Sequence, residues 1–550
     1  MANIQADDYQ VIDRLIEENL FPELSRFVAI KTFRGGELDE ADVISNLGKI
    51  HDALEEQTTE FNKGQKSDPL VPFEWKKKID GKDHWLFGLR LGTGPYKITV
   101  CSHLDTVPPG DNSAWEPFVL KKEQRDYLGM ADQEFYVGRG SIDDKGPAIV
   151  AFNVLKAVAR KYDGSPKLDD VTVELLFDTA EETDMAMPHY LEDKETKSPD
   201  IGLIYDAFWT IRAEKGIERP VFSVERRPNV NEGAWIDGLA TPRGPSNQIP
   251  DSAEATIRST SPAALEQIAG KVLEWYSTYA YDDDDYRRAE MHVDRKGMPE
   301  SLTLVAEVAG AQHGSAPDEN REGGANPLVS LANFLAGLVD QGILVSNDVG
   351  SMCQFISWTW GTKVLGERHP GLLESHDQVF VGNNGTTYAV TRMYTEEQSV
   401  RLELDIRYAI GHHSQPWDGT EGMLPGKNSI FGDVFSQLTG EFNRTAKHPV
   451  AFTTSTAAAP DIRLPESEAF QKVAKAYQEV MDQPTPALAI GGGTDAKGNN
   501  KLIAAGALFT DRLGPPINFH GFNEGAPVED LKNGARIIYR LFVDEIESLS

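Results

Sequence analysis

Five side chains of this sequence, His103, Asp143, Glu182, Asp206 and His520, stand at the ends of apolar runs or in glycine-bearing turns, and their types suit divalent cations. His103 closes the run I-T-V-C-S-H-L-D, with Asp105 two residues on. On a strand that spacing puts both side chains on one face. An imidazole can then ligate a cation through one nitrogen while a carboxylate fixes the other. The segment G-R-G-S-I-D-D-K-G, Gly138 to Gly146, drives the adjacent Asp143 and Asp144 into a glycine-tightened turn ahead of a helix. Asp143, with two carboxylate oxygens, is a natural bridge between two cations, although capping the helix is the plainer use of an aspartate there. In D-T-A-E-E-T-D the neighbours Glu181 and Glu182 can diverge, one holding a cation and the other reaching a water on it. That division supplies a ligand and a general base. Asp206 ends G-L-I-Y-D, and His520 stands in N-F-H-G-F-N-E-G-A-P. Singly, each is most simply a hydrogen-bonded polar group at a strand end or in a loop.

Together the five make a nitrogen and oxygen donor set without sulfur, which suits two zinc, manganese or cobalt ions better than a structural zinc cage. Two divalent cations carry four positive charges; Asp143, Glu182, Asp206 and one hydroxide carry four negative ones. Left empty, the three carboxylates would repel one another and take up protons, so metal is expected to stabilise the fold. The two cysteines, Cys101 and Cys353, are far apart and form no C-x-x-C pattern, which argues against a thiolate cage or a disulfide framework. With 54 Lys and Arg against 86 Asp and Glu, the formal charge of -32 argues against nucleic acid and anionic membrane surfaces as partners. No leader-like start and no run of about 18 apolar residues is visible, so a soluble, cytoplasmic protein is expected.

These side chains need elements to hold them. The 550 residues exceed the roughly 250 to 300 at which a single core stops growing, so more than one domain is expected. Spaced apolar positions predict amphipathic helices between Ala6 and Asn46. Strands are predicted over Trp85 to Arg90, Ile98 to Asp105, Val171 to Phe177 and Ile201 to Tyr205, with a proline-opened helix over Pro147 to Tyr162. Strands alternating with helices imply an α/β sheet covered on both faces, whose C-terminal strand ends form the ligand edge. After Ala213 the texture changes to alternating strands, such as E-R-P-V-F-S-V-E-R and V-R-L-E-L-D-I-R-Y, around helices over Ala263 to Tyr279 and Asn326 to Val339. Helices over Glu466 to Met481 and Val528 to Ile546 close the chain. The expected architecture is an α/β catalytic domain, 1–212 plus 464–550, interrupted by an α+β domain at 213–463.

The ordered pieces S-H-L-D-T-V-P-P-G, G-R-G-S-I-D-D-K-G, the Glu181-Glu182 pair, Y-D-A-F-W-T-I-R-A-E-K-G, G-A-Q-H-G-S-A-P, G-G-G-T-D-A-K and F-H-G-F-N-E resemble a known family. It is the di-zinc metallopeptidase family of bacterial broad-specificity dipeptidases, carnosinases, aminoacylases, glutamate carboxypeptidases and succinyl-diaminopimelate desuccinylase. The resemblance implies that Asp143 bridges two metals, Glu182 and His520 complete one site, and His103 and Asp206 complete the other. It makes Glu181 the general base and Asp105 the orienter of His103. It further implies that the inserted domain is a lid of the dimerisation type, through which a homodimer is expected. There His313 would polarise the scissile carbonyl and Arg407 would clamp a substrate carboxylate. The glycine-rich loop with Gly492, Gly493 and Thr494 would approach the bound end of the substrate. The dipeptidase branch is favoured by the aspartate at 206 and the A-E-K-G stretch, with an N-acyl-amino-acid hydrolase as the alternative. Ala180, Thr183 and Lys497 depart from the family's usual acidic residue, glycine or serine, and arginine.

Overall fold

A computed structural model describes residues 6–35, 38–110, 115–193, 196–227, 233–243, 246–308, 312–315, 317, 326–373, 379, 385–409, 412, 421–423, 430–510 and 514–549. The chain divides into two compact units: Met1–Glu214 with Thr420–Met423 and Asp461–Ser550, and Lys215–Gly419 with Leu424–Pro460. Residues 420–423, expected in the inserted domain, group with the first unit, where the strand Gly422–Met423 pairs antiparallel with Asp461–Ile462. The same ladder continues antiparallel onto Ile211–Glu214 and parallel onto Leu488–Ile490.

The first unit is built on a six-stranded sheet in the order Val71–Ile79, Lys82–Leu91, Val171–Asp178, Tyr96–His103, Ile201–Ile204, Leu502–Ala504. The last four strands run parallel, and the first two form an antiparallel hairpin at one side. Continuous apolar sequence is what a parallel strand covered on both faces requires, and Tyr96–His103 is buried from Lys97 onward. The helix Lys145–Tyr162 is buried along nearly its whole surface because the sheet lies under it and the helices Ala6–Val28 and Val528–Ser548 lie beside it. The strand ends at His103, so Asp105 lies beyond it and the period of two does not relate the pair.

The second unit holds two antiparallel four-stranded sheets. One runs Ala234–Ala240, Ser252–Ser259, Ser301–Glu307, Glu290–Asp294; the other runs Thr387–Thr395, Ser399–Tyr408, Gly216–Glu225, Val450–Ala458. Gly216–Glu225 alternates buried with half-buried residues, the pattern of a strand with one face on a core. Helices Pro262–Thr278, Pro327–Asp340, Asp348–Thr359 and Gly432–Phe442 supply the apolar cover, with Phe222 ringed by Phe355, Trp360, Phe435 and Phe452. Among the described residues no helix is long and apolar enough to cross a membrane.

Candidate metal centre and active site

The C-terminal ends of the parallel strands deliver the predicted ligands to one place. His103 is the last residue of its strand, Glu181 and Glu182 follow Val171–Asp178, and Asp206 follows Ile201–Ile204. Asp143 comes from the turn before Lys145–Tyr162, and His520, with φ of 60°, from a sharp turn before Gly525–Pro527. His103 Nε2 lies 2.9 Å from Asp143 Oδ1, and His520 Nε2 lies 2.7 Å from Asp143 Oδ2 and 3.2 Å from Glu182 Oε1. Donor atoms of His103, Asp143 and Asp206 fall within 4.8 Å of one another, as do those of Asp143, Glu182 and His520. The two triads share Asp143. A third group, His103 with Glu181 and Glu182, brings Glu181 to the same spot.

These ligands are held by surrounding groups, of which the sequence had singled out Asp105 and Asp144 but not Arg139, Glu524, Arg34 or Asp178. Glu524 Oε1 accepts the backbone N–H groups of Gly140 at 2.9 Å and Ile142 at 3.2 Å. Its other oxygen pairs with Arg139, whose guanidinium also donates to the main-chain oxygens of His520 at 3.1 Å and Gly521 at 3.2 Å. One buried ion pair thus ties the Asp143 turn to the His520 turn. Asp144 accepts the His103 N–H at 2.9 Å. Asp105 accepts from the backbones of Glu181 and Glu182, and Arg34 lies 3.4 Å from it while donating to the Thr179 oxygen at 2.7 Å. Asp178 takes three backbone N–H groups, from Ala180, Ala186 and Met187, at 2.7 to 2.8 Å, which shapes the turn bearing the glutamates. The F-H-G-F-N-E motif contained the signal for Glu524, but nothing local pointed to its partner.

Burial and crowding set the proton affinities of the cluster. Burial, then the charges of Asp143 and Glu182, push Asp206 up to about 7, against the pull of His103 and His520. Burial raises Glu181 well above the ordinary carboxylate range, with Glu182, Asp206 and Asp495 adding to it and His103 opposing. Burial disfavours the charged form of Asp143 too, but His520 and His103 outweigh it and hold this carboxyl far below its usual range. His520 is raised to about 10 because Glu182 and Asp143 outweigh its desolvation.

The donor set fits two cations. His103 Nε2, Asp143 Oδ2, Glu182 Oε1 and Asp206 Oδ1 are buried atoms without a hydrogen-bond partner among the described residues. Buried polar atoms are normally satisfied. Orphaned donors and acceptors converging at 2.7 to 3.2 Å are what ligands around shared ions look like. With Asp143, Glu182 and Asp206 ionised, the centre wants positive charge beyond its two imidazoles.

The other predicted residues belong to the second unit or to the glycine-rich loop of the first. His313 pairs with Gln248 in a short antiparallel bridge of the second unit, and its side chain falls outside the described residues. Beside it Gly314 donates its N–H to the Asn247 oxygen at 2.6 Å, and the buried Oδ1 of Asn247, which the sequence reading passed over, has no partner among the described residues. Arg407 is buried at 2% exposure, and its Nε donates to Asp405 at 2.9 Å. Thr494 spends both donors on Glu214, the N–H at 3.1 Å and the hydroxyl at 2.7 Å, so it braces the glycine-rich loop from within while Gly492 and Gly493 are half-buried. Lys497, in place of the usual arginine, sits 3.9 Å from the same Glu214.

Residues 99–544 match the model of peptidase family M20/M25/M40. The chain belongs to this family of peptidases. It is 27% identical over 488 residues to "Putative dipeptidase YtjP" of Bacillus subtilis (strain 168), covering 84% of this chain and 86% of that one. Among solved structures, human carnosine dipeptidase 1 aligns with a TM-score of 0.53 at 12% identity, covering 98% of each chain. The di-peptidase Dug1p from Saccharomyces cerevisiae aligns at 0.52 and 14% identity, covering 100% of this chain and 99% of that one. At such identities the structural likeness is one of fold.

Proposed function

We propose that this chain is a metallodipeptidase that hydrolyses the peptide bond of a free dipeptide with the help of two divalent cations, zinc foremost, with manganese or cobalt as alternatives. The observation that carries this reading is the pair of ligand triads sharing Asp143, with Glu181 beside them. The description of the Bacillus subtilis relative and the names of the two structures above supply the dipeptide.

When bound, the cations supply Lewis-acid polarisation of the scissile carbonyl and an acidified water. The protein does the rest. His103 and Asp206 would hold one ion and Glu182 and His520 the other, with Asp143 contributing to both. Glu181 takes the proton of the attacking water on its carboxylate and returns it to the departing nitrogen, so it ends the cycle unprotonated. A carboxyl whose buried setting raises its affinity for a proton suits that shuttle. On this reading, which follows the family resemblance, His313 would polarise the carbonyl, Arg407 would clamp the substrate carboxylate, and the loop of Gly492, Gly493 and Thr494 would meet the bound end. A homodimer formed through the second unit is part of the same reading.

The deciding experiment is a mass-spectrometric competition between free dipeptides, tripeptides, C-amidated dipeptides and N-acyl amino acids, with zinc- and manganese-loaded protein. Free dipeptides should be consumed first. Preferential hydrolysis of N-acyl amino acids would move the assignment to an N-acyl-amino-acid hydrolase, and equal use of tripeptides would defeat the short-substrate reading.

A further inference from the structure

The turn that carries Glu181 and Glu182 is gripped by a stretch of chain that precedes the family match, which begins at residue 99. After the helix Ala6–Val28 the chain runs beside Leu104–Thr106, and three contacts fix it there. Phe33 bridges Thr106 in parallel, the Thr32 hydroxyl donates to the Leu104 oxygen at 2.7 Å, and both Thr32 and Phe33 are buried. Lys145, which opens the helix behind Asp143 and Asp144, donates to the main-chain oxygens of Phe27 at 3.0 Å and Ile30 at 2.7 Å. The stretch is thereby tied to the strand end bearing His103 and to the turn bearing Asp143. It delivers Arg34 to the root of the glutamate turn.

Arg34 divides its guanidinium between two sides. Its Nη1 donates to the Thr179 oxygen at 2.7 Å and faces Asp105 Oδ2 at 3.4 Å, while Nε and Nη2 each lie 3.2 Å from Oε1 of the exposed Glu40. The first contact is a short charge-assisted hydrogen bond; the second is long for one and acts chiefly as charge attraction. Thr179 stands two residues before Glu181, and its hydroxyl donates to the Trp85 oxygen at 2.6 Å, so its peptide is held from both sides. Asp105, 1% exposed, accepts the N–H groups of Glu181 and Glu182. One guanidinium therefore fixes the turn directly at its root and, through Asp105, at its tip. Charge points the same way. Among the described residues Arg34 is the one arginine or lysine paired with Asp105, a carboxylate that repels the buried carboxyls of Asp178 and Asp495.

Resting on the reading of Glu181 as the group that takes the water's proton, we propose that Arg34 is a positioning residue of this centre. It holds the glutamate turn through Thr179 and Asp105 and sets the rate of turnover without meeting the substrate. Glu40 grips the outer edge of the fork and keeps the inner edge turned toward the turn. A planar fork can serve these partners at once, which a lysine ammonium cannot.

The test compares wild type with Arg34→Ala and Arg34→Lys, all zinc-loaded, on alanyl-alanine, with thermal melts and elemental analysis alongside. Arg34→Ala should lose on the order of 10- to 100-fold in kcat with KM within about threefold and metal content near two ions per chain. Arg34→Lys should recover part of the loss. Because Arg34 is only half-buried, millimolar guanidinium should restore kcat severalfold in Arg34→Ala and leave wild type unchanged. Amide exchange across 179–186 should quicken in Arg34→Ala and slow again with guanidinium. Wild-type kcat in a folded Arg34→Ala protein, or a loss that follows zinc content and ignores guanidinium, would overturn the assignment. Should wild type cleave N-acetyl-alanine and spare alanyl-alanine, the dipeptidase reading fails on its own, and the same kcat and rescue measurements on N-acetyl-alanine decide the role of Arg34.

Discussion

Asp105 accepts the backbone N–H of Glu181 at 3.0 Å and that of Glu182 at 3.2 Å, while its own main-chain oxygen meets the His103 ring at 3.1 Å. One residue therefore sets the height of the proposed base and of two ligands. In Asp105→Asn one acceptor oxygen becomes an NH2 facing an N–H donor, so the glutamate turn should shift while the ligands themselves remain. The expected result is a fall in kcat of about 10- to 100-fold with metal content near two ions per chain. Steady-state kinetics beside elemental analysis checks it, and an unchanged kcat would remove Asp105 from this role.

Adjacent glutamates with different tasks should fail differently. Glu181→Gln keeps shape but cannot take a proton, so it should retain metal and lose on the order of 100- to 10,000-fold in kcat. Glu182→Gln should lose metal first, because its carboxylate is the one 3.2 Å from His520. If both variants lose metal equally and Glu181→Gln shows no kinetic defect of its own, the division of labour is wrong.

The Arg139 and Glu524 pair is fully buried, and removing one partner strands the charge of the other. Arg139→Met should therefore destabilise the protein by about 3 to 5 kcal/mol and weaken cation affinity on the order of 10- to 100-fold, since the turns of Asp143 and His520 lose their common anchor. Denaturant melts and calorimetric zinc titration of the metal-free protein report the two effects separately. Wild-type zinc affinity in a folded Arg139→Met protein would show that the pair stabilises without positioning.

Chelation should lower the thermal midpoint, and zinc should restore it. Ions that bind only the folded state add stability by mass action, about 4 kcal/mol at a thousandfold excess over Kd. A midpoint indifferent to chelator, with metal removal verified by elemental analysis, would contradict a cation-filled centre.

Asp530 offers a pH test away from the metals. Burial pushes its carboxyl up to about 6, against hydrogen bonds from the Tyr127 hydroxyl at 2.6 Å and the Phe509 N–H at 3.1 Å. Its folded pKa lies above the ordinary value, so the folded state holds the extra proton. The contribution is complete below about pH 3.9 and is lost as pH rises through 6. Asp530→Asn cannot ionise and should escape that loss, worth on the order of 3 kcal/mol between pH 4 and 7.5. Parallel pH dependences of denaturant midpoints in wild type and variant would refute it.

The legibility of the sequence followed the range of its signals. V-T-V-E-L-L-F and I-T-V-C-S-H announced buried strands because burial on both faces favours runs that are mostly apolar. His103, Glu182 and Asp206 were visible because each stands where such a run stops, and Asp143 and His520 because they sit in glycine-bearing turns. Arg139 and Glu524 were not paired from sequence because 385 residues separate them and nothing local at either end points to the other. The helix Asp348–Thr359 escaped notice because its glycine and serines weaken local propensity, and its existence depends on burying Val349, Met352, Phe355 and Ile356 and on the Asn347 cap.

The ladder in which Asp461 pairs with Glu214 joins two stretches of chain that leave the ribosome far apart in time. During synthesis the first 214 residues cannot close their sheet, because the edge strand Leu502–Ala504 and the covering helix Val528–Ser548 come last. The second unit, contiguous apart from a four-residue return, is available to fold while the first waits. His520 is the last ligand to emerge, so cation capture should mark the completion of the polypeptide. Chains arrested before residue 520 should therefore be protected from protease across 215–460 while 1–214 is still cleaved, whether or not zinc is present.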